Sequence, residues 1–450
     1  MTSSRRSRAA ALVSAAALAA ALGACSSSGD GGSQAATDDG APLEVWSRGG
    51  DPVAAETYQR VFDAFTEQTG IEVDYSLVAE LDTQLQARAG QRDLPDVLIN
   101  DAGSLGDYVD QGFLLPVDRD SLEGADQVSD ETWDQTLGLD GQYYGVPWSR
   151  QANVVVVRKD WREALGLEVP QTWEELEAMA VAFAEQDPDG DGQADTYGMV
   201  VPGTATNGYI ARWGAPFLWQ AGGEVLVDDG EGHYTSEVDS PEVEEGMTYI
   251  RDLFCTPGAV VPGSINFATS DTPFFQEGTA GIYLTGPYNF NVFDEGVGRE
   301  NVEVIPMPQG PASATTFAEG ENIYFGASST KTDQQQQLAE FLLTPEAQEI
   351  AMDSPAAGGD GPFSSVVRLP VNTSVDAGEV YDDPRWDVVA DAYAESSKTF
   401  PWNIDFIPFR QVLADGMNAM AADCSSDIPT TLAQIDQGFE AEIAAQGLGQ

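Results

Sequence analysis

Lysine is almost missing from this chain: Lys159, Lys331 and Lys398 are all there is, and His233 is the single histidine. Lysine and arginine together number 20 against 74 Asp and Glu, a formal net charge of −54. A nucleic-acid binder needs a basic footprint to neutralise phosphates, so that class is excluded, as is docking on anionic lipid through side chains. One histidine rules out His-pair zinc sites and motifs such as H-E-x-x-H. A Ser-His-Asp hydrolase would have to use His233, whose Gly-Glu-Gly-His-Tyr setting reads as an exposed turn. Long hydrophobic runs are also missing. The apolar stretch Ala9–Ala24 is mostly alanine and shorter than the roughly 20 strongly apolar residues of a spanning helix.

That stretch follows Arg5, Arg6 and Arg8, so residues 1–24 read as a secretion signal. Leu22-Gly23-Ala24-Cys25 resembles the bacterial lipobox, in which the cysteine becomes the lipid-bearing mature N-terminus; the plainer alternative is an ordinary signal peptide with an incidental cysteine. Residues 25–42 are rich in Ser, Gly and Asp and read as a disordered leash. The apolar residues expected after a twin-arginine pair are missing, which favours general secretion over twin-arginine export. In an oxidising compartment the two other cysteines, Cys255 and Cys424, form a candidate disulfide, the alternative being two separate buried thiols.

At 450 residues with 42% apolar side chains, the chain is long enough for about two to four domains with real cores. Strands and amphipathic helices alternate. Leu43–Trp46 reads as a strand; Tyr58, Val61, Phe62 and Phe65 fall on one helix face, stopped by Gly70. Ile71–Tyr75 reads as the next strand. Asp96–Ile99 reads as a buried parallel strand whose carboxyl end reaches Asp101, and in open α/β sheets ligands collect at such ends. Val154–Val157 reads as a buried strand leading to Asp160 as a helix cap. Thr172-Trp173-Glu174-Glu175 is a capping box for a helix with Leu176, Met179, Ala180 and Phe183 inward. Ser240-Pro241 and Thr344-Pro345 start two more helices.

In this order, four segments resemble the family 1 extracellular solute-binding proteins of ABC importers, the maltose-binding type. They are Tyr143-Tyr144-Gly145-Val146-Pro147 with the strand to Asp160; Pro170 to Leu176; Phe275 to Ile282 leading to Gly286-Pro287-Tyr288; and Phe341 to Gln348. The resemblance covers nearly the whole chain beyond the leash. It implies an α/β fold of two periplasmic-binding-protein-like lobes (type II), each a mixed sheet flanked by helices, with the ligand cleft between them. By it the N-lobe holds 43–149 plus 307–343 and the C-lobe 150–306 plus 344–446, with crossings near Arg150, Met307 and Leu343.

A sugar cleft needs flat apolar faces and planar polar groups. Residues of those types at loop-like positions are Trp46, Arg48, Asp101, Trp148, Arg150, Trp213, Trp219, Asn289, Glu319, Glu321, Asn322 and Asn403. The resemblance adds Tyr288, after Gly-Pro where relatives place a stacking aromatic, and Trp402 and Arg410 in a late segment that faces the cleft. Against these stand plainer roles: core aromatics for Trp46, Trp213 and Trp219, surface ion pairs for Arg48, Arg150 and Arg410, and a helix cap for Asp101.

Asp187, Asp189, Asp191, Gln193 and Asp195 match positions 1, 3, 5, 7 and 9 of an EF-hand loop, with Gly192 at position 6, and imply a structural Ca²⁺. Gly198 replaces the glutamate at position 12, and the alternative is a loop of solvated aspartates. The function expected is a lipid-anchored, monomeric receptor on the extracytoplasmic face of the membrane. It would bind a neutral di- or oligosaccharide and pass it to a permease, with no nucleic acid as partner and no reaction catalysed. A receptor of the same fold for a cationic solute and a secreted glycoside hydrolase are the rivals.

Overall fold

The structure is a computed structural model describing residues 40–49, 51–193, 195–269, 273–352 and 365–450. The described residues belong to one unit, Asp38–Gln450. The signal segment and Cys25 lie outside them.

In chain order the strands are β1 (Leu43–Arg48), β2 (Val73–Val78), β3 (Val97–Asp101), β4 (Val146–Ala152), β5 (Val154–Arg158) and β6 (Tyr197–Val200). Then come the hairpin β7 (Leu226–Asp228) and β8 (Tyr234–Ser236), β9 (Ala280–Thr285), β10 (Val302–Ile305), β11 (Thr316–Phe325), β12 (Leu369–Pro370) and β13 (Ser397–Lys398). Two mixed sheets result. One runs β12-β4-β11-β3-β1-β2, with β13 on β11; the other runs β10-β5-β9-β6. In the first sheet β1 is parallel to β2 and β3, whereas β11 is antiparallel to β3 and β4. Each sheet with its helices forms a lobe.

The helices start where local chemistry dictates. Thr172 accepts from the Glu175 amide at 3.3 Å and opens the helix Trp173–Glu185, which buries Leu176, Met179, Ala180 and Phe183. Ser240 does the same for Pro241–Cys255, and Gly70 in the left-handed region ends Pro52–Thr69. β5 is buried on both faces: Val155 and Val157 pack into the second lobe's core with Phe183 and Phe217, while Val154 and Val156 pack beside Phe275 and Phe293. Asp160 does not cap. It lies inside the helix Lys159–Ala164 and takes the Arg158 guanidinium on both oxygens at 2.8 and 2.6 Å.

Of the three crossings the resemblance implied, the one near Met307 falls where expected, the one near Arg150 falls three residues on, and the one near Leu343 does not occur. The first crossing is Asn153, between β4 in one sheet and β5 in the other, and the return falls between β10 and β11. No crossing occurs at Leu343. The helix Pro345–Met352 packs its Ala347 and Ala351 into the same core as Val61 and Phe65 of the first lobe. The chain leaves that lobe only after β12, through the helix Arg385–Ser396 and β13 at the junction, before Ile407–Ala421 and Ile428–Gln446 pack on the second lobe. Cys255 and Cys424 are joined by a disulfide with Cα atoms 5.7 Å apart.

Candidate functional site

The cleft between the sheets is built from strand ends and one helix start. β1 ends at Arg48 and β3 at Asp101, side by side at the carboxyl edge of the first sheet. β11 carries Glu319 and Glu321 along the same edge. From the second lobe the helix Tyr209–Gln220 presents Tyr209, Arg212 and Trp213, and β9 with the turn after it presents Thr285 and Tyr288. The crossing contributes Ser149, Gln151 and Asn153, and Arg368 closes the end. These residues surround a cavity of about 340 Å³. A smaller recess opens from it past Asp101 and Arg212 and is lined by Phe317, Phe400, Trp402 and Arg410.

Ion pairs connect the walls. Arg48 donates to Asp101 at 2.6 Å and lies 3.7 Å from Glu321. Arg212 reaches from the second lobe to Glu319 at 2.7 Å and stands 3.9 Å from Asp101. Tyr58 donates to Glu321 at 3.2 Å from behind, and Gln151 to Glu319 at 3.2 Å. Burial pushes the Glu321 carboxyl above its ordinary range, with Arg48 and Arg368 opposing the rise. Asp101 chiefly raises the Arg48 guanidinium. Burial works against the charge of Arg212, yet Glu319 and Asp101 hold it above its usual value. Burial and then repulsion from Arg212 pull Arg410 down to about 10. The Tyr288 hydroxyl is pushed up by burial and then by Glu319.

A polar cleft between two sheet-and-helix lobes, crossed by several strands, is an architecture for holding a solute. The profile of the bacterial extracellular solute-binding protein family matches residues 49–349. The chain belongs to that family.

Members bind solutes, so this binding protein is not an enzyme. The polygalacturonan/rhamnogalacturonan-binding protein YtcQ of Bacillus subtilis (strain 168) is 28% identical over 220 residues, 46% of this chain and 42% of that one. The osmoprotective compounds-binding protein GgtB of Synechocystis sp. (strain ATCC 27184 / PCC 6803 / Kazusa) is 33% identical over 266 residues, 56% of this chain and 61% of that one. The alignments thus span 42% of one relative's length and 61% of the other's. Among solved structures, a tagatose-bound solute-binding protein from Thermotoga lettingae TMO superposes with a TM-score of 0.73 at 20% identity, covering 89% of this chain and 99% of that one. The GacH receptor of Streptomyces glaucescens GLA.O gives 0.73 at 19% identity, covering 90% and 99%. At such identities the likeness establishes the type II two-lobe fold.

Of the residues singled out in the sequence, Arg48, Asp101, Trp213, Tyr288, Glu319 and Glu321 line the main cavity of this binding protein, and Trp402 and Arg410 line its recess. Others lie elsewhere. Trp46 is packed in the first lobe under the Arg88 guanidinium, 4.9 Å from its ring. Trp148 is buried in the core because a bulge in the β4–β11 ladder leaves it as the extra residue between Pro147 and Ser149. Arg150 turns inward to the Ser149 and Glu321 carbonyls and the Asn322 amide oxygen, all within 3.0 Å, which takes Asn322 out of the cleft as well. Trp219 is stacked on Phe317 and meets Phe400 edge-on. Asn289 donates to the Thr285 hydroxyl at 2.8 Å, and Asn403 accepts from Tyr234. His233 sits in an exposed turn against Asp229 at 3.0 Å.

Sequence reasoning passed over Arg212, Tyr209, Gln151, Asn153 and Arg368. A signal existed for the first two. Asn207-Gly208 marks a turn, and Gly208, in the left-handed region at φ 69°, lies directly before the helix whose first turn holds Tyr209 and Arg212. For Arg368 there was none.

Proposed function

We propose that this protein is the receptor of an importer for a neutral carbohydrate, anchored by lipid on Cys25 and delivering its ligand to a permease. The observation that carries the ligand class is the charge balance of the main cavity: Arg48, Arg212 and Arg368 face Asp101, Glu319 and Glu321. No surplus of either sign is left for an acidic or cationic ligand, although the molecule as a whole is strongly acidic. Paired planar groups of this kind donate to and accept from hydroxyls, while Tyr209 and Tyr288 supply aromatic surface. Relatives are named for α-glucosides and fructooligosaccharides. The arginines weigh against the cationic-solute reading.

Titration calorimetry with maltose, a fructooligosaccharide, digalacturonate and spermidine tests this. Saturable binding of a neutral sugar is expected, with digalacturonate and spermidine silent; binding of either charged probe alone refutes it. Loss of the tethered form in Cys25→Ala cells, read by membrane fractionation, checks the anchor.

We propose as well that the loop from Asp187 holds a structural Ca²⁺. Asp187, Asp189 and Asp191 can each bring one carboxylate oxygen within 4.8 Å of the others, and Oδ1 of Asp187 is buried without a partner among the described residues. Asp191 is also tied to Gln193, whose amide and side chain both donate to it. Gly198 lies in β6 and offers no carboxylate, so the donor set is short and affinity should be modest. A melting temperature that falls on adding a chelator supports the ion; no change in melting or in calcium binding by calorimetry rejects it.

A further inference from the structure

Beside the recess the two lobes touch directly, and glycine makes the contact possible. The short helix Leu105–Asp110 belongs to the first lobe, where its Leu105 and Tyr108 pack with Leu98 and Tyr324. The segment from Trp402 to Phe406 belongs to the second. Ile404 and Phe406 sit in that lobe's core with Phe217 and Phe409, Asn403 accepts from Tyr234 at 2.9 Å, and the Asp405 carbonyl accepts from Gln446 at 2.8 Å. The two meet at Gly106. A Cβ there would run into the Ile404 carbonyl and stand 2.7 Å from the Asp405 nitrogen. Gly106 sits in the helix without a positive φ, so space and not conformation asks for glycine. Gly103 lies under the Trp402 indole, where a Cβ would be 3.5 Å from Nε1, so the same contact seats a wall of the recess.

Carboxyls flank this contact on both sides. Asp107 and Asp110 stand on the first lobe and Asp405 on the second; Asp82 and Arg410 are the other charged groups that bear on them. Burial, then Asp405, Asp82 and Asp110, push Asp107 up to about 6, while burial and then Asp110 raise Asp405 against the Ile407 amide and Arg410. Asp82 and Asp110 act on Asp107 whether or not the lobes meet, whereas Asp405 comes close only when they do. We propose that this contact is an acid-favoured latch: the receptor closes on its ligand by seating Gly106 on Ile404 and Asp405, and the charges of Asp107, Asp110 and Asp405 resist that seating until acidification neutralises them. The proposal rests on the two-lobe receptor fold and not on the identity of the ligand. Carboxyls raised in the joined form take up protons as the lobes close, so the penalty on closing is full above about pH 6 and fades as pH falls toward the ordinary carboxylate range.

The unaltered full chain, Asp405→Asn and Gly106→Ala are titrated at pH 5 and pH 8 with the sugar of the panel that the unaltered protein binds. Each is also melted and measured by small-angle scattering without ligand. Asparagine keeps the oxygen that accepts from the Ile407 amide, and alanine suits the helix and collides only across the lobes. The unaltered protein is expected to bind roughly three- to tenfold tighter at pH 5, since a carboxyl moved by about one pKa unit changes an equilibrium tenfold. In Asp405→Asn that gain shrinks below about twofold, a change that a merely structural role for Asp405 would not produce. Gly106→Ala should bind roughly tenfold more weakly at both pH values, with its unliganded melting temperature unchanged. The same pH ratio in Asp405→Asn as in the unaltered protein, or unchanged affinity in Gly106→Ala, overturns the latch and leaves the carbohydrate reading intact. If no panel sugar binds, the carbohydrate reading falls and scattering decides the latch. A radius of gyration smaller at pH 5 than at pH 8 in the unaltered protein but not in Asp405→Asn supports it; equal radii, or an equal change in both proteins, refute it.

Discussion

Every cation that faces the cleft is an arginine. A guanidinium keeps its charge when buried and presents a planar fork that pairs with a carboxylate and still has donors left for a ligand hydroxyl. Arg150 illustrates the opposite use: fully buried and with carbonyl and amide oxygens as partners, it ties β4 to β11 at the bulge and stands 5.9 Å from the Trp402 ring. Burial accordingly lowers its pKa. Asp107 shows the cost of placing acids together. Burial first, then Asp405, Asp82 and Asp110, push its carboxyl up to about 6, against the donation it receives from Gln111. A carboxyl raised in the folded state is penalised when ionised, so its burden is full above about pH 6 and vanishes as pH falls toward the usual carboxylate range. Asp107→Asn keeps the oxygen that Gln111 meets and should raise the melting temperature at pH 8 by a few degrees but leave it unchanged at pH 4. Equal shifts at both pH values would show that ionisation is not the cause.

At the level of elements, the helix Tyr209–Gln220 does most to join fold and site. Its first turn offers Tyr209, Arg212 and Trp213 to the cleft, and its remaining turns are buried nearly all round. The helices Pro241–Cys255 and Ile407–Ala421 both pack against it. The disulfide Cys255–Cys424 fastens the end of the first to the turn that follows the second, across a sequence separation of 169. Closing so long a loop restricts the unfolded chain by about 5 kcal/mol on the chain-entropy model, an upper figure. Cys255→Ala with Cys424→Ala should therefore lower the melting temperature by several degrees without shifting sugar affinity, since the bridge lies outside the cleft. A drop in affinity larger than threefold would mean that the bridge also positions Arg212 and Trp213.

Across the whole molecule, acids outnumber bases nearly fourfold, yet the main cavity is balanced. Self-repulsion of that surface keeps such a protein soluble, and it leaves recognition to the cleft. Much of this was legible in the chain itself. Capping signals at Thr172, Ser240 and Thr344, the inward faces of the helices and the doubly buried β5 follow from local stereochemistry and periodicity, and each appears as expected. Arg48 and Asp101 lie together because the carboxyl ends of parallel strands meet at one edge. What stayed hidden was side-chain direction at irregular backbone. One bulge sends Trp148 and Arg150 inward while leaving Glu321 at the cleft, and no periodicity marks a bulge. Equally hidden was the joining of Arg212 to Glu319 across 107 positions of sequence, and of Asn153 to Trp213 around one cavity. Periodicity, capping chemistry and ordered motifs were enough for the main strands and helices, their order and the family, since those rest on contacts within a few residues. Which polar groups line the cleft depends on where two lobes meet, and residues far apart in the chain become neighbours only there.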